Sequence, residues 1–451
     1  MKIFRIGIFL ALTAGVILGE VWLANNPGAV TILWRGHRVD TSVAVILHIV
    51  LFLVVAAAFA YRFWGALLRV PQQLRLRAQL RRDRRGYDAL SEGLIAAAAG
   101  DAGGALRLAK KAAALLDSPP IAKLLTAQAA ELTGDTTAAK ENFQALAKDP
   151  KTALLGIRGL MGEARRRGDS AEALRLADEA YGLRPEAEGL LAQRLELQIE
   201  SDCWADAEAT VREAVRRKEM SAEEGAERRS VMFYEQARLA DRAGDAASAQ
   251  SLLQESVKLN PHFVAGTAKL VELLGHDGKI RRGARLIEKL WAEKPHPSLA
   301  AAYRALEPEL EPLAQVKRFE SLAAINPEHG ESHIALAEAA LAAELWGEAR
   351  AQLQRVIESD GLTPRLCRLM ATLEESEYED HDKARHWLAQ TASASPDVAW
   401  LCNDCGTEAP AWQGRCGQCG GFNTLSWQTP PRITRLVENE SPEMLDAPPA
   451  E

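Results

Sequence analysis

The sequence predicts an all-α protein in three parts. These are an N-terminal transmembrane helical hairpin, an α-solenoid of stacked helical pairs, and a small C-terminal four-cysteine metal ribbon. Three observations carry this expectation. A short phrase recurs every 34 residues through the middle of the chain, two apolar runs near the N-terminus approach bilayer length, and four cysteines form two Cys-x-x-Cys pairs near the C-terminus. At 451 residues the chain exceeds one ordinary domain, whereas a repeat array grows by stacking. Apolar residues make up 47% of it but aromatics only 6%, which favours helices packed on small side chains.

The net charge of −7 is unevenly spread. Residues 1–85 hold 12 Lys and Arg against 3 Asp and Glu, so they carry +9 and the remainder −16. A basic, apolar front on an acidic body points to a membrane anchor and away from nucleic acid.

The anchor is expected over residues 1–69, with spans at about 3–24 and 43–63. Ile6 to Gly19 is an uninterrupted run of apolar or small residues, extended by Val21–Ala24. A helix of about 20 residues rises roughly 30 Å, enough to cross a bilayer. A signal peptide is disfavoured because no small-x-small cleavage site follows and a second apolar run comes next. Between the spans, Val30–Trp34 and His37–Thr41 flank Arg35-Gly36, the pattern of a short hairpin or loop. Arg62, Arg69, Arg75, Arg77, Arg81, Arg82, Arg84 and Arg85 follow the second span, and Lys2 and Arg5 precede the first. The positive-inside rule then puts both termini in the cytoplasm of a multi-pass membrane protein. Residues 70–86 are expected to form a basic juxtamembrane helix that meets anionic lipid headgroups or simply stays solvated. Glu20 and His48 are the ionisable groups at membrane depth and are candidates for function on that ground. Glu20 can reach the interface, and His48 can be hydrogen-bonded within the hairpin or serve as a ligand.

The repeat array is expected over residues 87–396 as about nine tetratricopeptide (TPR) units. Gly100-Asp101 returns as Gly134-Asp135 and Gly168-Asp169, each followed by Ala five residues after the Gly: Ala105, Ala139 and Ala173. Asp202 with Ala207 keeps the step without Gly. Gly244-Asp245 with Ala249, then Gly278 with Gly283, resume it. Pro185, Pro261, Pro295, Pro327 and Pro396 fall 17 residues after positions 168, 244, 278, 310 and 379, where each stops a helix. The Ala marks a close helix crossing that a larger side chain would overpack. Interruptions at Glu219–Glu227 and around Leu310, between Pro308 and Pro312, divide the array into subdomains on this reading. Stacked hairpins make a concave groove for extended peptides or helices of partner proteins.

Residues 397–429 hold Cys402, Cys405, Cys416 and Cys419 in the spacing C-x2-C-x10-C-x2-C. Two knuckles of this kind supply four thiolates to one ion, Zn²⁺ or a single Fe. All four positions are filled by protein, so no open site remains for hydrolysis. Trp400, Trp412, Phe422 and Trp427 are expected to cover the knuckles. Cys203 and Cys367 sit in helical patterns and read as buried small hydrophobes. The Pro-rich, acidic tail 430–451 is expected to be disordered.

The chain resembles the HemY family of bacterial inner-membrane proteins. The residues that carry this are the paired apolar runs, Asn26-Pro27-Gly28 with Val30-Thr31-Ile32, and Arg84-Arg85-Gly86-Tyr87-Asp88-Ala89-Leu90 leading to Gly93-Leu94 and Ala99-Gly100-Asp101. Its ribbon and layout are also similar to lipopolysaccharide assembly protein B, a membrane-tethered TPR protein with a rubredoxin-like end. The HemY resemblance implies a link to haem (porphyrin) biosynthesis and supplies no catalytic residues. No Gly-rich dinucleotide fingerprint is present, which sets aside the flavin-dependent protoporphyrinogen oxidase of the same name. The expected function is therefore a non-enzymatic scaffold that gathers partner proteins, haem-biosynthetic enzymes among them. The alternatives are an adaptor regulating lipopolysaccharide and envelope biogenesis, and a protein that handles haem or iron.

Overall fold

The computed structural model describes residues 2–25, 28–117 and 119–431. From residue 432 onward the expected tail lies outside them. Contacts divide the chain into two compact units, Met1–Leu146 and Ala147–Glu451. The division falls at neither of the two interruptions expected from the sequence.

The first unit opens with α1 (Lys2–Asn25), β1 (Ala29–Trp34), β2 (His37–Ser42) and α2 (Val43–Ala98). It continues with α3 (Ala102–Leu115), α4 (Pro120–Thr133) and α5 (Thr136–Ala147). β1 and β2 pair antiparallel with Trp34 opposite His37. The two residues between them, Arg35 and Gly36, have φ of 53° and 86°. Positive φ at both central positions gives the turn whose twist matches paired strands. At the base of this hairpin, Val43 N–H donates to Gly28 O at 3.0 Å.

Helix α2 runs unbroken for 56 residues, about 84 Å at the rise of an α-helix. The sequence suggested three pieces here: a span, a basic juxtamembrane helix and the start of the repeats. The structure joins them into one rod that continues through Pro71. Within it, Val43–Trp64 is long and apolar enough to cross a membrane, with mean hydropathy 2.9 and no part of it buried. α1 contributes the shorter apolar stretch Thr13–Leu23. The far end of α2 packs on α3 and α4, burying Ala89 and Leu90 with Ala109, Ala112 and Leu125. Arg82 donates to the carbonyls of Ala114 at 2.8 Å and Leu115 at 3.1 Å, satisfying C-terminal groups of α3.

The second unit continues with α6 (Ala153–Arg166), α7 (Ser170–Leu183), α8 (Leu190–Glu200), α9 (Trp204–Arg216), α10 (Ala222–Arg242) and α11 (Ala246–Leu259). Then come α12 (Val264–His276), α13 (Ile280–Trp291), α14 (Pro297–Ala305), α15 (Pro312–Ala323), α16 (Gly330–Ala342), α17 (Trp346–Asp360), α18 (Pro364–Tyr378) and α19 (His381–Gln390). Helices adjacent in sequence pack on one another through most of this unit, with α14 seated mainly on α12, α13 and α16, the arrangement of a TPR α-solenoid. A long α10 absorbs the insertion at Glu219–Glu227, and a short α14 precedes the irregular segment before Pro312.

The recurring phrase is a pair of helix caps. Gly100, Gly134, Gly168, Gly244 and Gly278 all have φ between 70° and 82°, the left-handed conformation that ends the first helix of a pair. Asp101, Asp169 and Asp245 then cap the second helix, each accepting the N–H three residues on. Asp202, Glu344 and Glu379 occupy the glycine position with φ of 55°, 60° and 52°. The small residue five positions on is buried in each pair: Ala105, Ala139, Ala173, Ala207, Ala249, Gly283, Ala349 and Ala384. At Gly283 a Cβ would lie 2.8 Å from a methyl of Leu306, which shows how tight the crossing is.

Candidate metal centre

Three short strands follow α19: β3 (Ala399–Cys402), β4 (Glu408–Ala409) and β5 (Leu425–Gln428). They form an antiparallel sheet in the order β4-β3-β5. Each Cys-x-x-Cys pair makes a tight knuckle. Gly406 N–H donates to Cys402 O at 2.8 Å, and Gly420 N–H donates to Cys416 O at 2.9 Å. Gly406 and Gly420 have φ of 72° and 73°, a conformation that side chains with a Cβ adopt at a cost.

The knuckles bring the four sulfurs together. All lie within 4.8 Å of one another, with Cys402 Sγ 3.6 Å from Cys419 Sγ and Cys405 Sγ 3.7 Å from Cys416 Sγ. These distances exceed a disulfide bond, and all four are free cysteines. A tetrahedral zinc with Zn–S of about 2.3 Å requires sulfur–sulfur edges of about 3.8 Å. The donor set therefore fits a four-sulfur metal site. The Thr424 hydroxyl lies 3.2 Å from Cys402 Sγ, placed to donate to the thiolate that a metal ion requires. When bound, the ion would supply cross-linking of the two knuckles. The cysteines themselves supply the ribbon's core, in which Cys402 and Cys416 are buried with Ala409 and Leu425.

The aromatic residues do more than cover the knuckles: they fasten the ribbon to the solenoid. Trp412 meets Phe263 edge-on at 4.6 Å and Tyr234 at 5.2 Å between ring centroids. Phe422 stacks on Trp204 at 6.0 Å. Trp400 and Trp427 pack against His296 at 5.3 and 4.3 Å. Polar contacts fix the register. Gly414 N–H donates to Glu235 Oε1 at 2.9 Å, and Asn423 Nδ2 donates to Glu227 Oε1 at 2.9 Å. Arg415 Nη1 donates to the carbonyls of Ile199 at 3.2 Å and Glu200 at 3.1 Å, capping the C-terminus of α8. Sequence reasoning missed Glu235, His296 and Arg415 as docking residues. They lie more than 100 positions from their partners, and no local pattern links them.

Cys367 is buried in α18, as the sequence suggests, while Cys203 is half-buried at the N-cap of α9. Glu20 and His48, read separately from the sequence, are brought together. Glu20 Oε1 lies 2.8 Å from His48 Nε2, and His48 Nδ1 lies 2.7 Å from Ala44 O.

Fold and site together define a class: a membrane-associated TPR protein that ends in a four-cysteine ribbon. Residues 28–134 match the family described as HemY protein N-terminus, and residues 400–426 match the rubredoxin metal binding domain. The HemY-type front and rubredoxin-like end expected from the sequence are thus both present. Over 445 residues the chain is 28% identical to "Probable magnetosome protein Mms48" of Magnetospirillum gryphiswaldense, covering 97% of this chain and 95% of that one. It is 47% identical over 32 residues to DNA repair protein RadA of Haemophilus influenzae, a match covering 7% of each. Among solved structures, "Structure of Naa15/Naa10 bound to HypK-THB" gives a TM-score of 0.40 at 15% identity, covering 68% of this chain and 51% of that one. Yeast Tom70 gives 0.31 at 12% identity, covering 69% and 76%.

Proposed function

We propose that this chain is an inner-membrane scaffold whose TPR surface gathers other proteins, with haem-biosynthetic enzymes as the partner class. The carrying observation is α2: the segment able to cross a membrane and the first repeat hairpin share one unbroken helix. A rigid connection of this kind holds the hairpin at the membrane surface and raises the effective concentration of whatever it binds. The HemY-type region over residues 28–134 supports the link to haem. In this reading both termini are cytoplasmic, residues 1–69 form the anchor and 87–396 the array. Cys402, Cys405, Cys416 and Cys419 hold one structural ion, Zn²⁺ in preference to Fe, in the ribbon of residues 397–429. Four protein ligands leave it no reactive position.

Crosslinking in intact membranes, followed by identification of the captured proteins, tests this function. Recovery of haem-biosynthetic enzymes, with porphyrins accumulating on depletion, is the expected result. Altered lipopolysaccharide with normal haem would replace it with the envelope reading, which the rubredoxin-type ribbon favours. A coloured, iron-loaded preparation would point instead to haem or iron handling. Mms48 is called a magnetosome protein, and the similarity over nearly the whole chain is compatible with a general membrane-adaptor role.

A further inference from the structure

Arginines of the second unit typically end on carboxylates. Arg165 reaches Glu196 and Glu200, Arg350 reaches Glu374 and Glu377, and Arg365 reaches Glu331 and Glu338. Helix α13 departs from this. Its exposed face carries Arg281, Arg282, Arg285 and Lys289, and none of them has an ion-pair partner among the described residues. The opposite face buries Gly283, Ile287, Leu290 and Trp291, so the basic residues cannot turn inward. An unpaired cationic face on a body carrying a large negative charge attracts an acidic ligand.

Beside this face lies a cavity of about 400 Å³ between α11, α12 and α13. Val257, Leu270, Leu286 and Leu290 line it with apolar surface, and Lys258, Arg282 and Lys289 give it a basic rim. Glu293, 3.2 Å from His262, marks the acidic end. The cleft therefore suits a short segment that alternates apolar anchors with carboxylates.

The chain contains such a segment. Residues 436–446 read Leu-Val-Glu-Asn-Glu-Ser-Pro-Glu-Met-Leu-Asp, with Val437, Met444 and Leu445 among Glu438, Glu440, Glu443 and Asp446. Its starting point is also close. Thr429 lines the same cavity as Pro295 and Pro297, directly after Lys294 and the end of α13. The 15 steps from Pro431 to Asp446 span up to roughly 50 Å, against about 18 Å for the whole of α13. We propose that residues 436–446 dock within the same chain on the basic face and cleft of α13. The apolar anchors enter the cleft and the carboxylates meet Arg281, Arg282, Arg285 and Lys289.

The test uses the full chain in detergent at low salt, with Met444 replaced by p-benzoylphenylalanine. Irradiation should give crosslinks within one chain to residues 254–293. Those crosslinks should fall at least fivefold in about 0.5 M salt, where charges are screened within a few ångströms. The triple change Arg281→Glu, Arg282→Glu, Arg285→Glu should lower them to the same degree with helicity and metal content unchanged. Reversing Glu438, Glu440 and Glu443 to Lys as well should restore them. Crosslinks between chains, to lipid or to other helices, overturn the proposal. So do crosslinks to α13 that ignore both salt and charge reversal.

Discussion

Glu235 and Gly414, 179 residues apart, are joined by a buried hydrogen bond of 2.9 Å that seats the ribbon on α10. Glu235 is itself held by Arg238 at 2.8 Å, so its carboxylate cannot swing aside freely. A Cβ at position 414 would stand 2.7 Å from Glu235 Oε1. Gly414→Ala should therefore loosen docking by about 1–3 kcal/mol, the usual cost of overpacking a tight site. Faster proteolysis between Ser393 and Val398, with metal content retained, is the expected readout. Unchanged proteolysis would refute the seat.

Metal removal should release the ribbon. Its core is little more than Cys402, Ala409, Cys416 and Leu425, and structural zinc supplies folding energy on the order of 10 kcal/mol in such modules. Chelation, or Cys402→Ser, should abolish bound metal and expose Trp412 to quenchers. The solenoid's helical signal should persist. A ribbon that stays docked without metal would contradict this.

Acid should weaken the same interface through His296. Burial, aided by the nearby Arg365 charge, holds this imidazole down to about 4, so it packs neutral against Trp400 and Trp427. In the unfolded chain the imidazole titrates near 6.5 and binds the proton first. The stabilisation is thus full above about 6.5, falls as pH drops toward 4, and levels off below, amounting to about 3 kcal/mol. Comparing the parent with His296→Gln across pH 7 to 4 isolates it, because metal loss from the cysteines affects both. Parallel pH profiles would exclude His296 as the cause.

The Glu20–His48 contact should tie α1 to α2. Ala44 O only accepts, so Nδ1 carries a proton, and the bond at Nε2 needs a second one on either partner. The pair is therefore net neutral and tolerable at membrane depth. Glu20→Leu or His48→Leu should each weaken helix association by about 1–2 kcal/mol, with little further loss in the double mutant. Additive losses would show that the two residues act apart.

The repeat turns make a prediction with the opposite sign. Glu344 sits at the glycine position with φ of 60°. A left-handed residue with a side chain costs about 1–2 kcal/mol, partly offset by glycine's greater freedom when unfolded. Glu344→Gly should raise the melting temperature slightly, whereas Asp169→Ala should lower stability by about 1 kcal/mol through loss of its cap to Glu172 N–H. Circular dichroism melts check both.

Much of this protein was legible in the sequence because the information is local. Gly168, Asp169 and Ala173 specify a C-cap, an N-cap and a close crossing within six positions. Cys402 and Cys405, like Cys416 and Cys419, specify a knuckle within four. The apolar run from Val43 sets a membrane-length helix by composition alone. What only the tertiary structure decided is long-range. It placed Trp412 against Tyr234 and Phe263, Arg415 on the end of α8, and Glu20 beside His48. It also merged span, basic segment and first repeat into one helix, since no breaker strong enough stands between them. Periodicity and spacing encode how a chain turns on itself locally. Which distant surfaces meet depends on the summed geometry of every hairpin between them, and no short pattern carries that sum.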